Sequence, residues 1–310
     1  CNIFSYSVIG NRNFYKGTFS FVLKSYLCQQ RYKKMTESSE TKEFINVEKI
    51  LMTKAPRLYK RLPRFVINYL IRIFHQDEIN SDLQKISDEV GVPKFHKQLE
   101  ISNIKINYHG KELVPPEGRF IFASNHPMGG PEGIMIVSAV GRMFPKTKLM
   151  VNDLLMNLPD IEDVFIPINR FGRNKHDYVD ILDSSLKSDY QLVIFPAGLV
   201  SRRIKGKVVD LSWKKSFIRY AIRYQRDVIP VFIDGKNSNF FYRLANWRKR
   251  LGIKVNIEQM YLIDEFYKHK NKDMSIYFGK PIPYQSFTNE KSDKEWAEYV
   301  KEIVYSLEEK

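Results

Sequence analysis

From about residue 101 onward, short apolar runs alternate with longer amphipathic segments, and this alternation restricts the fold more than any other feature. Short apolar runs are typical of strands buried on both faces, and the amphipathic segments have the spacing of helices. The alternation predicts an α/β fold with a mixed, mostly parallel central sheet flanked by helices. The predicted strands cover residues 101–108, 119–124, 147–151, 163–168, 191–195, 228–233 and 274–278. The predicted helices cover residues 132–143, 176–187, 213–225, 238–250, 257–268 and 293–308.

The chain before this region has a helical and strongly basic texture. Residues 43–52, 63–75 and 79–90 predict helices, because apolar residues recur there every three or four positions. Residues 49–76 contain seven basic residues and no acidic one. This composition indicates a helix lying in an anionic membrane interface, although a core-packing helix with a solvated basic flank has the same pattern.

The first 34 residues differ again, with six basic residues, no acidic one and Cys at position 1. Met35 begins a more polar stretch, so we expect residues 1–34 to be a non-native or disordered extension. A targeting segment is the alternative, but the stretch lacks the compact apolar region of a secretory signal. The predicted division is this extension, a helical, basic, membrane-associating part over residues 35–98 and an α/β domain over residues 99–310.

The formal net charge of +15 predicts an acidic partner, which could be nucleic acid, an anionic membrane surface or an acidic protein. No nucleic-acid-binding module is recognisable, so we expect no nucleic-acid partner. The two cysteines, Cys1 and Cys28, are not in a metal-type spacing, and no metal site is expected. No apolar run approaches the roughly 20 residues that a transmembrane helix needs.

Residues 124–133 carry the pattern that predicts chemistry, and they read Ser-Asn-His-Pro-Met-Gly-Gly-Pro-Glu-Gly. Pro127 disfavours helical dihedral angles at His126, and Pro131 suits the first turn of a helix. Glu132 then lies at a helix N-terminus, where the helix dipole stabilises a carboxylate. A histidine at a strand end beside such a carboxylate is positioned to act as a general base. An ordinary surface turn is the alternative interpretation.

These residues resemble the first motif of the glycerolipid acyltransferase superfamily, in which Asn-His is followed by four residues and an aspartate. A haemolysin-like branch, which includes ornithine- and glycine-lipid O-acyltransferases, has five intervening residues, as lie between His126 and Glu132 here. Glu132 stands where that branch usually has Asp. The resemblance implies that His126 and Glu132 are the catalytic pair and that Asn125, Gly129 and Gly130 help to bind substrate.

Three further segments resemble the superfamily's other motifs in the same order, so that the resemblance covers about residues 100–280. They are residues 165–170, residues 195–203 and residues 228–232. Ala197 replaces the glutamate of the usual third motif, as in the haemolysin-like branch, which argues against a glycerol-phosphate acceptor. The substrate-binding residues that these segments imply are Arg170, Gly198, Ser201, Arg202 and Arg203.

The resemblance implies transfer of a fatty acyl group from a thioester, carried by acyl carrier protein or coenzyme A, to the hydroxyl of a lipid acceptor. His126 would remove the hydroxyl proton, with no acyl-enzyme and no further cofactor. The expected acceptor is a lyso-amino-acid lipid. The alternatives are a lysophosphatidic acid or glycerol-phosphate enzyme and a non-catalytic lipid-binding relative. The expected partners are acyl carrier protein, an anionic membrane surface and the lipid acceptor, with the protein peripheral at the cytoplasmic face.

Overall fold

The computed structural model of the protein describes residues 44–151, 160–167 and 175–308. The predicted extension over residues 1–34 and the second-motif residue Arg170 lie outside the described residues.

The strands of the described chain form one large sheet and one small hairpin. They are β1 (Lys105–His109), β2 (Phe120–Ser124), β3 (Thr147–Val151), β4 (Phe165–Pro167), β5 (Gln191–Ile194), β6 (Arg202–Ile204), β7 (Lys207–Val209), β8 (Asp227–Ile233) and β9 (Asp273–Phe278). The large sheet has the order β1–β9–β8–β2–β5–β3–β4, and β6 and β7 form the antiparallel hairpin. Within the large sheet only β8 and β9 pair antiparallel. The predicted α/β fold with a mixed, mostly parallel sheet is confirmed.

Helices precede the sheet and cover both of its faces. They are α1 (Val47–Lys54), α2 (Pro56–Tyr59), α3 (Arg64–Ile73), α4 (Gln76–Lys85), α5 (Val92–Ile101), α6 (Pro131–Met143), α7 (Lys175–Lys187), α8 (Ser216–Tyr224), α9 (Asn239–Arg250), α10 (Leu262–Tyr267) and α11 (Asp293–Ser306). Every helix in the described part of the chain is too short or too polar to traverse a bilayer.

The central strands are buried on both faces, and successive side chains enter two separate cores. Phe122 packs in one core with Leu99 of α5 and Ile136 of α6. Its neighbour Ile121 packs in the other core with Phe217 of α8. This division follows from the two-residue repeat of a strand, and each fully buried side chain of this size contributes roughly 1.5–3 kcal/mol.

Several segments differ from the sequence-based prediction. The helix predicted over residues 257–268 is a 3-10 turn over Ile257–Tyr261 followed by the short helix α10. The strand predicted over residues 101–108 begins only at Lys105, because α5 continues to Ile101 and buries Phe95 and Leu99 one turn apart. The hairpin of β6 and β7 was not predicted; its turn has Lys205 and Gly206 both at positive φ, 48° and 85°. Positive φ at both central positions is the geometry of a two-residue hairpin turn.

The parallel arrangement fixes the place of the site. Strands β2, β5 and β8 run in one direction and are neighbours in the sheet. Their carboxyl ends therefore meet at one edge, where open α/β sheets commonly bind ligands. The segments that leave this edge are residues 124–133, 195–201 and 234–238.

Candidate active site

Residues 124–133, here called the 124–133 loop, begin at this edge of the sheet. Asn125 stabilises the edge through its side-chain amide. Its side-chain oxygen accepts from the backbone N–H of Ile233 at 2.8 Å, and its amide nitrogen donates to the carbonyl of Ile233 at 3.0 Å. Asn125 is buried. The side chain predicted to bind substrate is therefore occupied in joining the ends of β2 and β8.

The two residues predicted to act together, His126 and Glu132, are in direct contact. Nδ1 of His126 lies 2.7 Å from Oε1 of Glu132. The Glu132 side chain is fully buried, whereas 19% of the His126 side chain is exposed. The face of the His126 ring stacks on Phe195, with centroids 4.6 Å apart and planes inclined by 18°. The imidazole is thus held by one hydrogen-bonding carboxylate and one aromatic ring, and part of it remains open.

Backbone N–H groups of the same loop complete the environment of Glu132. Met128 and Gly129 donate to Oε1, and Gly130 donates to Oε2 at 2.9 Å. Burial by itself would raise the pKa of Glu132, but the hydrogen bond and charge of His126 and the N–H of Gly129 outweigh it. The pKa of Glu132 therefore lies below its ordinary value.

The ionised carboxylate determines the form of the histidine. A carboxylate only accepts hydrogen bonds, so Nδ1 of His126 carries the shared hydrogen and the lone pair is on Nε2. No group among the described residues hydrogen-bonds Nε2. A neutral imidazole with its second nitrogen unoccupied can accept a proton from a bound hydroxyl.

Gly129 has the backbone conformation that lets three consecutive N–H groups turn toward one carboxylate. Its φ is 90°, and a Cβ there would lie 2.6 Å from Val200 and 2.8 Å from Leu262. Any larger residue would combine an unfavourable dihedral with a steric clash. Gly130 has open space around it, with no heavy atom within 4 Å of an added Cβ. The positive φ and the close neighbours therefore explain why position 129 is a glycine. Gly130, by contrast, lines open space beside the dyad.

Asp210 is a buried carboxylate that sequence reasoning missed. It accepts the backbone N–H of His126 at 3.2 Å, the hydroxyl of Ser201 and the indole N–H of Trp213 at 2.9 Å. Burial raises the pKa of Asp210, and the bonds from Ser201, Trp213 and His126 only partly offset that effect. Asp210 holds the backbone on one side of His126, as Glu132 holds the ring on the other. Its position after an unpredicted hairpin left no signal in the sequence.

Ser201 and Arg202, both predicted to bind substrate, are engaged within the protein. Ser201 donates its backbone N–H to the carbonyl of His126 at 2.7 Å, and its hydroxyl bonds Asp210. Arg202 lies 3.0 Å from Glu258, which is completely buried and also contacts Arg248 at 2.8 Å. These contacts join the β6–β7 hairpin to the region of α9, and they leave Arg202 committed to Glu258.

Arg203 and Lys214 are two further cations of this region. Arg203 donates to Asn239 at 2.8 Å and lies over the Tyr242 ring, while its Nε has no hydrogen-bond partner among the described residues. The exposed Lys214 lies over the turn that follows β5: a Cβ on Gly198 would be 2.6 Å from Lys214 Nζ. Gly198, predicted to bind substrate, has φ 65° and leaves room for this lysine. The sequence analysis singled out Arg203 but not Lys214.

No cluster of three or more His, Cys, Asp and Glu side chains in the described ranges is arranged to hold a metal ion.

Comparisons with known proteins agree on one class. A family model described as acyltransferase matches residues 49–310. The chain is 47% identical over 264 residues to the lyso-glycine lipid O-acyltransferase of Bacteroides thetaiotaomicron, covering 85% of this chain and 97% of that protein. It is 43% identical over 275 residues to the lyso-glycine lipid O-acyltransferase of Phocaeicola vulgatus, covering 88% and 98%.

Among solved structures, the 1-acyl-sn-glycerophosphate acyltransferase of Thermotoga maritima is similar, with 16% identity and a TM-score of 0.44. It covers 95% of this chain and 98% of the other. The two lyso-glycine lipid enzymes and the family model, and not this distant likeness, identify the family.

Proposed function

The chain belongs to the acyltransferase family, and we propose that it transfers a fatty acyl group from a thioester to the free hydroxyl of lyso-glycine lipid. The observation that carries the proposal is the 2.7 Å contact between His126 Nδ1 and the buried, ionised Glu132. That contact presents Nε2 as a base at the carboxyl edge of the sheet. The two relatives named lyso-glycine lipid O-acyltransferase support this choice of acceptor.

The proposed reaction is a direct transfer. Nε2 of His126 accepts the hydroxyl proton while the acceptor oxygen attacks the carbonyl carbon of the thioester. The tetrahedral intermediate collapses, the C–S bond breaks, and the imidazolium returns the proton to the departing thiolate. Glu132 stabilises the imidazolium formed in between. A positioned general base of this kind typically contributes about 10²–10⁴-fold to the rate.

The serines near the dyad support a mechanism without an acyl-enzyme. The hydroxyl of Ser124 donates to Asn125 at 3.3 Å, and the hydroxyl of Ser201 is held by Asp210. Neither hydroxyl bonds the imidazole, so neither is activated as a nucleophile by a neighbouring base. The donor in this proposal is acyl carrier protein or coenzyme A in its acyl-thioester form. An acidic carrier protein would suit a chain with a formal net charge of +15.

The acceptor's carboxylate requires a cation near the dyad. Arg203 and Lys214 are candidates in the described residues: Lys214 is exposed over the turn after β5, and Arg203 donates to the single side chain of Asn239. Arg170, which the resemblance also implies, remains a proposal for the same role. Arg202 is a weaker candidate than the sequence suggested, since Glu258 already neutralises it.

A lipid acceptor also requires access to a membrane. We infer that the protein is peripheral at the cytoplasmic face and that its basic N-terminal helices contact anionic lipid. Residues 49–76 carry seven basic residues and no acidic one, and Phe65 of α3 is 74% exposed. Basic residues beside exposed aromatic side chains are typical of helices at a membrane interface.

The test is an assay of the purified full chain with acyl carrier protein and coenzyme A thioesters, followed by mass spectrometry of the lipid products. We expect lyso-glycine lipid to gain one acyl group. Lysophosphatidic acid is the matched acceptor, because it offers a hydroxyl beside a phosphate instead of a carboxylate. Efficient acylation of lysophosphatidic acid without acylation of lyso-glycine lipid would overturn the acceptor. Failure with both acceptors and both donors would overturn the reaction.

A further inference from the structure

Helix α9 exposes a mixed apolar and basic stripe, although its opposite face is already buried in the protein. Phe240, Trp247 and Leu251 are 47%, 68% and 67% exposed. Their spacing of seven and then four residues places them along one side of the helix. Arg243, one turn from Phe240 and from Trp247, is also exposed on this side. The buried side chains of α9 are Phe241, Tyr242 and Ala245.

Helix α3 continues this stripe, although it is distant from α9 in sequence. The hydroxyl of Tyr69 in α3 is 2.8 Å from the hydroxyl of Tyr261. The ring of Tyr261 makes an edge contact with Phe240, with centroids 4.9 Å apart. Phe65, one turn before Tyr69, is 74% exposed. Tyr261 therefore joins the exposed aromatic side chains of the two helices into one surface.

We propose that this surface docks on an anionic lipid bilayer. It consists of Phe65, Tyr69, Tyr261, Phe240, Trp247 and Leu251, and it is called the α3–α9 surface below. The proposal extends the membrane contact inferred above for residues 49–76 to a second segment, and to that extent it rests on the proposed function. It requires no particular acceptor, donor or catalytic step.

Positive charge predominates around the α3–α9 surface, because its acidic neighbours Asp264 and Glu48 are paired with Lys268 and Arg64. Residues 49–76 and 239–257 contain twelve basic residues and no acidic one. The first acidic residue after α9, Glu258, is buried against Arg202 and Arg248. An anionic bilayer attracts each basic residue near its surface and also accepts exposed aromatic rings at the level of its headgroups.

The combination of cations with large exposed apolar side chains is what favours a bilayer over an acidic protein. Electrostatic attraction alone would need the cations but not the exposed rings. Side chains as exposed as Phe65, Trp247 and Leu251 leave apolar area in water that only an apolar partner can cover. Helices with one basic and one aromatic or aliphatic side lie in the interface with the apolar side chains inserted.

The α3–α9 surface is also next to the dyad, which gives docking a use. Tyr261 belongs to the surface, and its chain neighbour Leu262 packs on the 124–133 loop. A Cβ on Gly129 would lie 2.8 Å from Leu262, so the two residues are already in contact. A membrane-bound acceptor approaching past this surface would meet the loop that holds His126 and Glu132.

Trp247 provides an internal probe for the test. The other two tryptophans, Trp213 and Trp296, are buried. The full chain is mixed with vesicles of phosphatidylcholine alone, or of equal parts phosphatidylcholine and phosphatidylglycerol. We expect the tryptophan emission to shift to the blue only with the anionic vesicles. Lipids brominated on their acyl chains should then quench it, and Trp247→Phe should remove the signal while co-sedimentation persists.

A matched pair of variants assigns the contact to this surface. The test variant combines Trp247→Ser with Arg243→Gln. The control variant combines Ile222→Ser with Arg223→Gln, which removes one exposed apolar and one exposed arginine side chain from α8. The test variant should bind anionic vesicles at least about tenfold more weakly, from one lost apolar insertion and one lost cation. The control should bind like the wild-type protein.

The outcomes separate this proposal from the proposed reaction. His126→Ala should bind vesicles as the wild-type protein does, because His126 is not part of the surface. Test and control variants that bind equally, or bound protein whose Trp247 is not quenched, would overturn the surface. Equal binding to neutral and anionic vesicles would overturn the proposed preference of the surface for anionic lipid. If the wild-type protein does not acylate lyso-glycine lipid, the proposed reaction is overturned, but these binding results are unaffected.

Discussion

Two buried carboxylates flank His126, and they come from regions that the chain builds in different ways. Glu132 bonds the ring and lies in the 124–133 loop with every one of its partners within six residues. Asp210 bonds the backbone N–H and gathers partners from residues 126, 201 and 213. The pKa of Glu132 is lowered, whereas burial raises the pKa of Asp210.

This difference shows which kind of site a linear motif can encode. In the 124–133 loop the histidine, the glycines and the acid satisfy one another locally, so their spacing defines the geometry. In residues 195–214 the partners are distant: Arg202 meets Glu258, 56 positions further on. A motif in such a segment can therefore identify the right neighbourhood without showing which side chain is free to bind a ligand.

The largest expected effect comes from removing the imidazole ring of His126, which the 124–133 loop holds in place. His126→Ala should lower kcat by about 10²–10⁴-fold, because the general base is lost. The thermal unfolding temperature should change little, since the ring is partly exposed and Glu132 keeps its backbone donors. Steady-state acyl transfer and circular dichroism measure the two quantities. Wild-type turnover by this variant would refute the assignment of the base.

The second test changes the acid that orients the ring. Glu132→Gln should lower kcat by about 10²-fold, because an amide nitrogen would face backbone N–H donors where an oxygen now accepts them. Glu132→Asp keeps the charge and should retain more activity than Glu132→Gln. Turnover of the purified variants at saturating acceptor tests the order. Equal activities of the two variants would mean that the charge of Glu132 is unimportant.

The third test concerns the second carboxylate. Asp210→Asn should lower kcat by about tenfold and stability by about 1–3 kcal/mol, because an NH₂ group would face a donor from Ser201 or Trp213. KM should be nearly unchanged, since Asp210 acts through the backbone of His126. Ser201→Ala, which removes a single donor, is the milder control. A variant with normal kcat would show that Asp210 does not position the histidine.

The two carboxylates should also differ in their acid response. A lowered folded-state pKa means that the contribution of Glu132 is present above its ordinary pKa and is lost as pH falls through the folded value. A raised folded-state pKa has the opposite effect on stability. The folded state therefore gains stability as Asp210 binds a proton. Acid unfolding should therefore be less steep in Glu132→Gln and steeper in Asp210→Asn. The free energy of unfolding, measured between neutral and acid pH, gives both slopes.

The smallest expected effects, on KM and on stability, distinguish the cations of residues 195–214. Lys214→Met should raise KM for the acceptor several-fold with little change in stability, because its ammonium group is exposed and unpaired in the described structure. Arg202→Met should do the reverse and lower stability by about 3 kcal/mol, because it leaves Glu258 with one fewer partner. A rise in KM for Arg202→Met that exceeds the rise for Lys214→Met would restore Arg202 as the head-group ligand.

Much of the fold could be predicted from the sequence, because the central strands read as apolar runs. Strands β2, β5 and β8 lie within one or two residues of their predicted bounds. The helix α5 was missed because its buried residues Phe95 and Leu99 are separated by charged and polar ones and adjoin a second apolar stretch. The β6–β7 hairpin was missed because its two arginines were interpreted as an anion site. The Lys205-Gly206 dipeptide was the available turn signal.

The residues of the site also fall into those that local sequence could predict and those that it could not. The 124–133 loop placed His126 beside Glu132 as the spacing predicted. Asp210, Lys214 and Glu258 could not be identified, since each meets its partner through the fold. Their roles depend on where the hairpin and α9 pack, and no local periodicity encodes that packing.

The central claim is that His126 and Glu132 act as one unit, and a double-mutant cycle tests it most directly. kcat/KM for acyl transfer to lyso-glycine lipid would be measured for the wild-type protein, His126→Ala, Glu132→Gln and the double variant. Residues that act as a unit are strongly non-additive. The account predicts that the double variant is no slower than His126→Ala alone, because Glu132 has no ring left to orient. A double variant slower by the product of the two single effects would contradict it.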